Sequence, residues 1–357
     1  FEILKSHGSM MKEDWWNDLF KIMYRIFDHA KQEDGRADKS EWLKTTCNHA
    51  MFAIVDLITQ FFSAIGPLLL PSLYDQFVCC LNQRNEFLAQ TCVACLKNVI
   101  ILNGNEFDDT LWDKTMETIT HILNSTLPTD LIMKENGENG QVNGYVKEDK
   151  KNGMNNLGWL DDEEISEVIV MCIVQMDMVD AVSTIVLGAD SNIGLLPSIH
   201  PPHLLSICKC LMASLNLANS FNASNGERTL LWKAGLRGSS KPNLPRLETR
   251  CLSTLFSILI VLLQDKRAIG LRDEVSSLLS SSFSLIFNSY STSESRRCGL
   301  SPVMTRLLEE CSSLDRQLIL SSFGDTFPLC MCELVVTSET SELRTQVSSI
   351  LKIFCMP

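Results

Sequence analysis

Two pairs of cysteines are the first residues in this chain whose types and spacing could do chemistry. Cys92 and Cys95 form a C-x-x-C pair, and Cys79-Cys80 lies just upstream, so four thiolates are available for a zinc ion. Structural zinc sites place such pairs in knuckles or turns, whereas the apolar periodicity here places both pairs within helices. The alternative is that these cysteines pack in a core, which is a common position for a free thiol.

A second candidate is the motif His200-Pro-Pro-His203, which offers two imidazole ligands. No third candidate ligand stands nearby, and consecutive prolines favour the entrance of a helix. Histidines at helix ends commonly cap the helix or lie exposed. The motif therefore favours a structural role, and neither a metal nor a cofactor is predicted for this chain.

Catalytic motifs are missing from the sequence. It contains no G-x-S-x-G elbow, no H-E-x-x-H helix and no G-x-G-x-x-G after a strand. The stretch from Gly235 to Lys241 lacks the spacing of a phosphate-binding loop, and Pro242 stands where a hydroxyl would bind magnesium. Acid pairs such as Asp108-Asp109 stand at helix starts, where the helix dipole accounts for them. We therefore predict that this chain is not an enzyme and has no small-molecule substrate.

Five positive charges are concentrated in residues 233–250, with Glu248 as the single acid among them. The five are Lys233, Arg237, Lys241, Arg246 and Arg250. One interpretation is a solvated loop between two helices. The other is a docking site for an acidic partner or for lipid headgroups, which we predict as the partner-binding site because the chain as a whole carries a net charge of −12.

The candidate residues above must be held in place by secondary-structure elements. The most decisive pattern for such an element is an apolar stripe between Ser40 and Ile65. Apolar side chains recur there at steps of three and four, which predicts an α-helix about 39 Å long. Ser40 is the candidate N-cap, and Gly66-Pro67 is predicted to end the helix. Charged residues are few, so this helix is expected to be the inner helix of a layered stack.

Further helical patterns follow along the whole chain. The predicted helices include Glu13–Gln32, Glu86–Leu102, Ile165–Leu187, His203–Phe221, Arg246–Gln264, Leu271–Tyr290, Pro302–Ser322 and Phe327–Phe354. Helix starts near residues 40 and 85 lie about 45 residues apart, within the period of HEAT and armadillo units. We predict an all-α fold, an armadillo/HEAT-like α-solenoid of about twelve helices with almost no β-structure.

The segment from Lys134 to Gly158 interrupts the helical patterns. It is rich in Asn, Gly, Lys and Glu and has almost no apolar anchors, so it cannot bury enough surface to offset its ordering entropy. We therefore predict an N-terminal helical repeat lobe in residues 1–133, a flexible loop in residues 134–158 and a C-terminal helical repeat lobe in residues 159–357.

Composition narrows the class of protein. The 45% hydrophobic content suffices for a core. The net charge of −12 argues against general affinity for nucleic acid or anionic membranes, although it leaves room for a local basic patch. The 14 cysteines lie in apolar helical runs, which favours free thiols in a reducing cytoplasm. No membrane span is predicted, because Pro and Gly interrupt the run Leu57–Tyr74 and Cys251–Gln264 is too short. Since the pattern opens at Phe1 without a Met, we expect a fragment of a larger protein.

Four stretches carry a family resemblance. Asp14–Asp28, Glu41–Leu57, Asn98–Thr115 and Trp232–Thr249 together resemble the C-terminal region of the large Arf guanine-nucleotide exchange factors of the brefeldin A-inhibited type. The resemblance implies a regulatory region downstream of a catalytic exchange domain, built as an armadillo-like solenoid. The acidic finger on which exchange depends in that family has no counterpart in this sequence.

The resemblance also implies several regulatory roles and partners. It implies autoinhibition, recruitment to trans-Golgi and endosomal membranes, recognition of activated Arf-family or other small GTPases, and self-association as a homodimer. The expected location is the cytoplasm and the periphery of those membranes. The alternative that the residues leave open is an unrelated HEAT-type adaptor or transport scaffold.

Overall fold

The computed structural model describes residues 1–27, 41–82, 85–132, 162–189, 192–224, 228, 243–324 and 327–355. Fourteen α-helices lie within these described ranges. The first six are α1 (Glu2–His7), α2 (Glu13–Tyr24), α3 (Asn48–Gln60), α4 (Phe62–Leu81), α5 (Glu86–Asn103) and α6 (Asp109–Ser125). The next eight are α7 (Asp162–Leu187), α8 (Pro201–Ala223), α9 (Leu244–Gln264), α10 (Arg272–Thr292), α11 (Glu294–Cys311), α12 (Arg316–Phe323), α13 (Phe327–Thr337) and α14 (Ser341–Cys355).

The helices pack in the order expected of a solenoid. Each helix from α2 to α10 contacts the helix two positions further along the chain. The helices α3, α5, α7, α9 and α11 therefore form one row, and α2, α4, α6, α8, α10 and α12 form the other. Adjacent helices such as α4 and α5 or α8 and α9 also pack together. Two stacked rows with contacts between near neighbours are the architecture of an α-solenoid, which confirms the predicted fold class.

Helix α9 is the most enclosed element of the second half. Of its 21 residues, 14 are buried, and it packs against α7, α8, α10 and α11. The side chains of Leu252, Leu255 and Leu259 are completely buried. A helix that is apolar on nearly every side must be surrounded by other elements, so the position of α9 follows from its composition.

The single helix predicted between Ser40 and Ile65 is wrong in its boundaries. A π-helix over Leu43–Cys47 leads into α3. The helix is interrupted at Phe61, whose φ and ψ of −113° and 25° are not helical. Gly66, Pro67 and Pro71 lie inside α4 rather than ending a helix. Pro67 is exposed, as is Ser63 four residues earlier, so water can satisfy the carbonyl that proline leaves without a donor. The predicted N-cap, Ser40, lies outside the described residues.

Two late helices also differ from prediction. The segment Pro302–Ser322 was predicted as one helix but is divided between α11 and α12. Helix α11 begins eight residues before Pro302 and continues through it. Helix α12 begins after its N-cap Asp315, which accepts a 2.7 Å hydrogen bond from the Leu318 N–H. Phe327–Phe354 is divided into α13 and α14. Arg344 donates hydrogen bonds at 2.7 and 3.1 Å to the Ser338 carbonyl, which secures the turn between the two helices.

A small hairpin is the β-structure within the described residues. Gly188–Ala189 (β1) pairs antiparallel with Asn192–Ile193 (β2). Gly188 has a φ of 86°, and a Cβ on Gly194 would lie 2.1 Å from the Val186 carbonyl oxygen, so glycine is required at both positions. The hairpin lets the chain turn from α7 towards α8.

The predicted loop at residues 134–158 lies outside the described residues, but the helices before and after it are in contact. Helix α5 packs against α7, and α6 packs against α8. Gln175 of α7 is completely buried and donates hydrogen bonds to the Leu123 carbonyl and the Thr126 hydroxyl, while the Ser214 hydroxyl donates to its amide oxygen at 2.9 Å. The predicted division into two lobes stays a prediction.

Candidate functional site

The predicted basic site meets the described structure at the first two turns of α9. The side chain of Asn243 caps this helix by accepting a 3.0 Å hydrogen bond from the Arg246 N–H, and Pro245 lies in its first turn. This start places Arg246 and Arg250 one helical turn apart on the same face. Lys233, Arg237 and Lys241 lie outside the described residues.

Both described arginines of this site approach one carboxylate. An Nη2–Oδ2 distance of 3.5 Å joins Arg246 to Asp180 of α7, and an Nε–Oδ1 distance of 3.4 Å joins Arg250 to the same residue. The arginine side chains are 55% and 54% exposed, and that of Asp180 is 36% exposed. Ion pairs this long and this exposed contribute little to stability, usually less than about 1 kcal/mol each.

A second acid adds negative charge behind Asp180. Burial raises the pKa of the Asp177 carboxyl, and the negative charge of Asp180 raises it further. A hydrogen bond from Gln90 and the positive charges of Arg246 and Lys97 act in the opposite direction. The surface between α7 and α9 is therefore a mixed cluster of two arginines and two aspartates.

The other face of the same turns of α9 is buried and polar. Glu248 is 3% exposed, and its carboxylate accepts a 2.7 Å hydrogen bond from the Asn222 amide and a hydrogen bond from Arg296 of α11. Arg296 also donates to the Asn219 side-chain oxygen at 2.9 Å. Burial raises the pKa of Glu248, while the charge of Arg296 and the hydrogen bond from Asn222 lower it. This buried pair ties α8, α9 and α11 together.

A cavity of about 200 Å³ adjoins this buried pair. Its walls come from the ends of α8, α9 and α11 and include Pro245, Thr249, Arg296, Leu300 and the exposed Arg228. An open cleft of about 480 Å³ lies elsewhere, between α10 and α12, and serines form much of its lining together with Arg272 and Asp273. Neither space could be predicted from the sequence, because each is built from residues far apart in the chain.

The cysteine candidates lie in the core. Cys80 of α4 and Cys92 and Cys95 of α5 are buried, and Cys79 of α4 is half-buried. Burial raises the pKa of Cys92 far above its ordinary value and that of Cys95 to about 12, so both thiols stay protonated at neutral pH. In the part of the chain that the structure describes, no three His, Cys, Asp or Glu side chains are close enough together to hold a metal ion.

The histidine motif opens α8 and contacts the start of α6. His200 Nε2 lies 3.1 Å from an Asp109 oxygen, and His203 Nε2 lies 2.8 Å from an Asp113 oxygen. The sequence did not predict these partners, because they lie about 90 residues earlier in the chain. The one available signal was the i, i+4 spacing of the two aspartates, which places them on one helical face.

Several helices have the length and composition of membrane spans. Within the described residues, five helices, including α4, α8 and α9, are long and apolar enough to cross a bilayer. Between 50% and 72% of the most apolar stretch of each is buried inside the protein. The stretch Cys251–Gln264, which is too short by itself to span a bilayer, belongs to the 21-residue α9. The fold thus uses much of this apolar surface for helix packing.

Comparison with known proteins connects this fold to one family. A family model described as "BIG2 C-terminal domain" matches residues 173–352, which is about half of the chain. Brefeldin A-inhibited guanine nucleotide-exchange protein 1 from Rattus norvegicus and from Homo sapiens is 28% identical over 96% of this chain. The ADP-ribosylation factor guanine nucleotide-exchange factor sec71 of Schizosaccharomyces pombe is 23% identical over 72% of it.

The matches cover a small part of the relatives themselves. The chain spans 22% of the length of the rat and human proteins and 15% of that of the fission yeast protein. No solved structure matches the chain.

Proposed function

Because the chain belongs to the family of BIG2 C-terminal domains, we propose that it is a non-catalytic regulatory and protein-interaction scaffold within a large Arf guanine-nucleotide exchange factor. In this role it supports recruitment to trans-Golgi and endosomal membranes, autoregulation of exchange and vesicle trafficking. One observation carries the proposal. The similarity to the exchange protein covers 96% of this chain but only 22% of the exchange protein's length. Family membership sets aside the alternative of an unrelated HEAT-type adaptor.

Two properties of the fold support a scaffold. A solenoid presents long surfaces built from successive helices, which suits the binding of extended or multiple partners. Much of the apolar surface of its long helices is already used in the core, which leaves charged and polar faces for partners. The partners proposed for those faces are activated Arf-family or other small GTPases, the anionic Golgi surface and a second copy of the chain.

The lack of catalysis is tested by the release of labelled GDP from Arf with this chain in excess. The expected rate equals the spontaneous rate, because the proposal assigns exchange to another part of the parent protein. A clear acceleration would show that the chain itself catalyses exchange and would overturn the proposal.

The scaffold role needs a positive result as well. Purified chain is incubated with isolated Golgi membranes, with Arf loaded with GTP or GDP, and the membrane-bound fraction is measured by sedimentation. We expect the chain in the membrane pellet, in larger amount with GTP-loaded Arf. Sedimentation that equals that of a soluble reference protein under both conditions would contradict recruitment.

A further inference from the structure

The contact between Asp180 and two arginines concerns the partner-binding site predicted in residues 233–250, and the inference from it rests on the proposed function. We propose that Asp180 is an internal competitor, which occupies the Arg246–Arg250 pair that an acidic polypeptide partner binds. The chain thereby carries a weak autoinhibitory contact within its own docking surface.

The geometry resembles that of a bound acidic side chain. Arg246 and Arg250 stand at i, i+4 on α9, and Asp180 approaches each of them with a different carboxylate oxygen. Guanidinium groups commonly bind carboxylates in protein recognition. Asp180 supplies that carboxylate from within the same chain.

The contact is weak enough to be displaced. Both distances are at least 3.4 Å, and more than half of each arginine side chain remains exposed to water. Exposed pairs of this kind are easily exchanged for other charged partners, and salt weakens them further. A partner with two or more acidic groups would therefore compete successfully with the single carboxylate of Asp180.

The electrostatics favour a polypeptide over a membrane as the occupant. Asp180 contacts both described arginines, so its carboxylate would face a flat anionic bilayer that approached them, and the charge of Asp177 acts on Arg246 from the same surface. A polypeptide can place individual carboxylates on the arginines and keep its remaining groups away from the aspartates.

The test measures binding of a fluorescein-labelled peptide of alternating glutamate and serine by anisotropy at low salt. A peptide of alternating glutamine and serine is the reference, and phosphatidylcholine vesicles that contain phosphatidylserine provide the lipid arm. The variants of the whole chain are Asp180→Asn, Asp180→Ser and the double variant Arg246→Gln/Arg250→Gln. Asp56→Asn is the matched control, since it also removes one acid from an exposed ion pair, with Lys5 at 3.3 Å. Thermal melts identify any variant that has lost its fold.

The proposal predicts that Asp180→Asn and Asp180→Ser bind the acidic peptide roughly 3- to 10-fold more tightly than the wild type. The control should differ from the wild type by less than about 2-fold, and the double arginine variant should bind most weakly. If both Asp180 variants bind the acidic peptide no more tightly than the wild type, the proposal that Asp180 is an internal competitor is wrong, even if the double arginine variant shows that peptide binding needs the arginines. Binding to vesicles alone that depends on the arginines would overturn the choice of a polypeptide. If the double arginine variant binds the peptide and the vesicles as the wild type does, Arg246 and Arg250 do not form a docking site, and the proposed competition by Asp180 is wrong as well.

Discussion

At the scale of single residues, the pair of Glu248 and Arg296 combines charge with burial. The Glu248 side chain is 4% exposed and that of Arg296 is 13% exposed. A buried ion pair gains stability only where hydrogen bonds satisfy its remaining groups, and Asn219 and Asn222 supply two of them. Both charges are therefore needed to hold α8, α9 and α11 together.

We predict that Arg296→Met lowers the free energy of unfolding by about 3 kcal/mol near neutral pH, because it leaves the Glu248 carboxylate buried without a cation. Removal of Arg296 also removes an influence that lowers the pKa of Glu248. The folded-state pKa then rises further above its unfolded value, so the folded state binds more protons and stability falls as the pH rises through that range. Urea unfolding at pH 5 and pH 8 should show the larger loss at pH 8.

Arg306→Met serves as the control for this variant. Arg306 pairs with Glu310 at 3.0 Å, but its side chain is 59% exposed, so its loss should cost less than about 1 kcal/mol with little dependence on pH. Equal losses for the two variants, or a loss for Arg296→Met that does not change with pH, would show that Glu248 is solvated in solution.

At the scale of elements, Pro67 lies within the body of α4 on its solvent side. Its missing N–H leaves the Ser63 carbonyl without a helical donor, and the proline ring crowds that carbonyl. The helix nevertheless continues, because Ile65, Leu69, Leu70 and Leu73 are buried against neighbouring helices. Tertiary burial here outweighs a local preference to end the helix.

Replacement of this proline is expected to stabilise the protein. Pro67→Ala restores one backbone hydrogen bond, and the gain exceeds the extra entropy of the unfolded chain, for a net increase of about 1–2 kcal/mol in the free energy of unfolding. Pro202→Ala is the matched control, since Pro202 is exposed in the first turn of α8, where no helical partner awaits its N–H. Thermal melts should show a rise for Pro67→Ala alone. A fall would mean that α4 needs the bend that proline imposes.

At the scale of the whole molecule, helices that precede residue 133 contact helices that follow residue 161. These contacts predict the result of proteolysis between them. A protease that cuts within the predicted loop, residues 134–158, should leave two fragments that elute together in size-exclusion chromatography. The packing of α5 on α7 and of α6 on α8, with the buried Gln175 between them, should hold the fragments together. The same digest in urea should release both fragments. Separation under native conditions would favour two independent lobes.

Self-association is the second expectation at this scale. Leu329 and Val336 of α13 are 70% and 83% exposed, and Val335 is 46% exposed, so the last pair of helices presents apolar surface to water. Exposed apolar surface of this kind favours association of two copies. Light scattering over a range of concentrations should give a mass above the 40.1 kDa of one chain, and Val336→Asp should restore the monomer. A monomer at every concentration would reject the homodimer.

The sequence by itself determined the class of fold and most of the helices. The apolar period of three to four residues is a local property, so the all-α fold and the bodies of α2, α5, α7, α8, α9 and α10 could be predicted from it. The same pattern placed Cys80, Cys92 and Cys95 in helices, and the described structure buries them. The concentration of basic residues in 233–250 is likewise visible without a structure.

Only the tertiary structure decided where helices break and which charges meet. Phe61 interrupts the predicted long helix where its ring packs 5.5 Å from that of Trp16, and α4 and α11 each continue through a proline. Asp180 reaches Arg246 from 66 residues away in sequence, and Arg296 reaches Glu248 from 48 residues away. Burial and charge pairing depend on residues brought together by folding, and a local pattern carries no information about such distant partners.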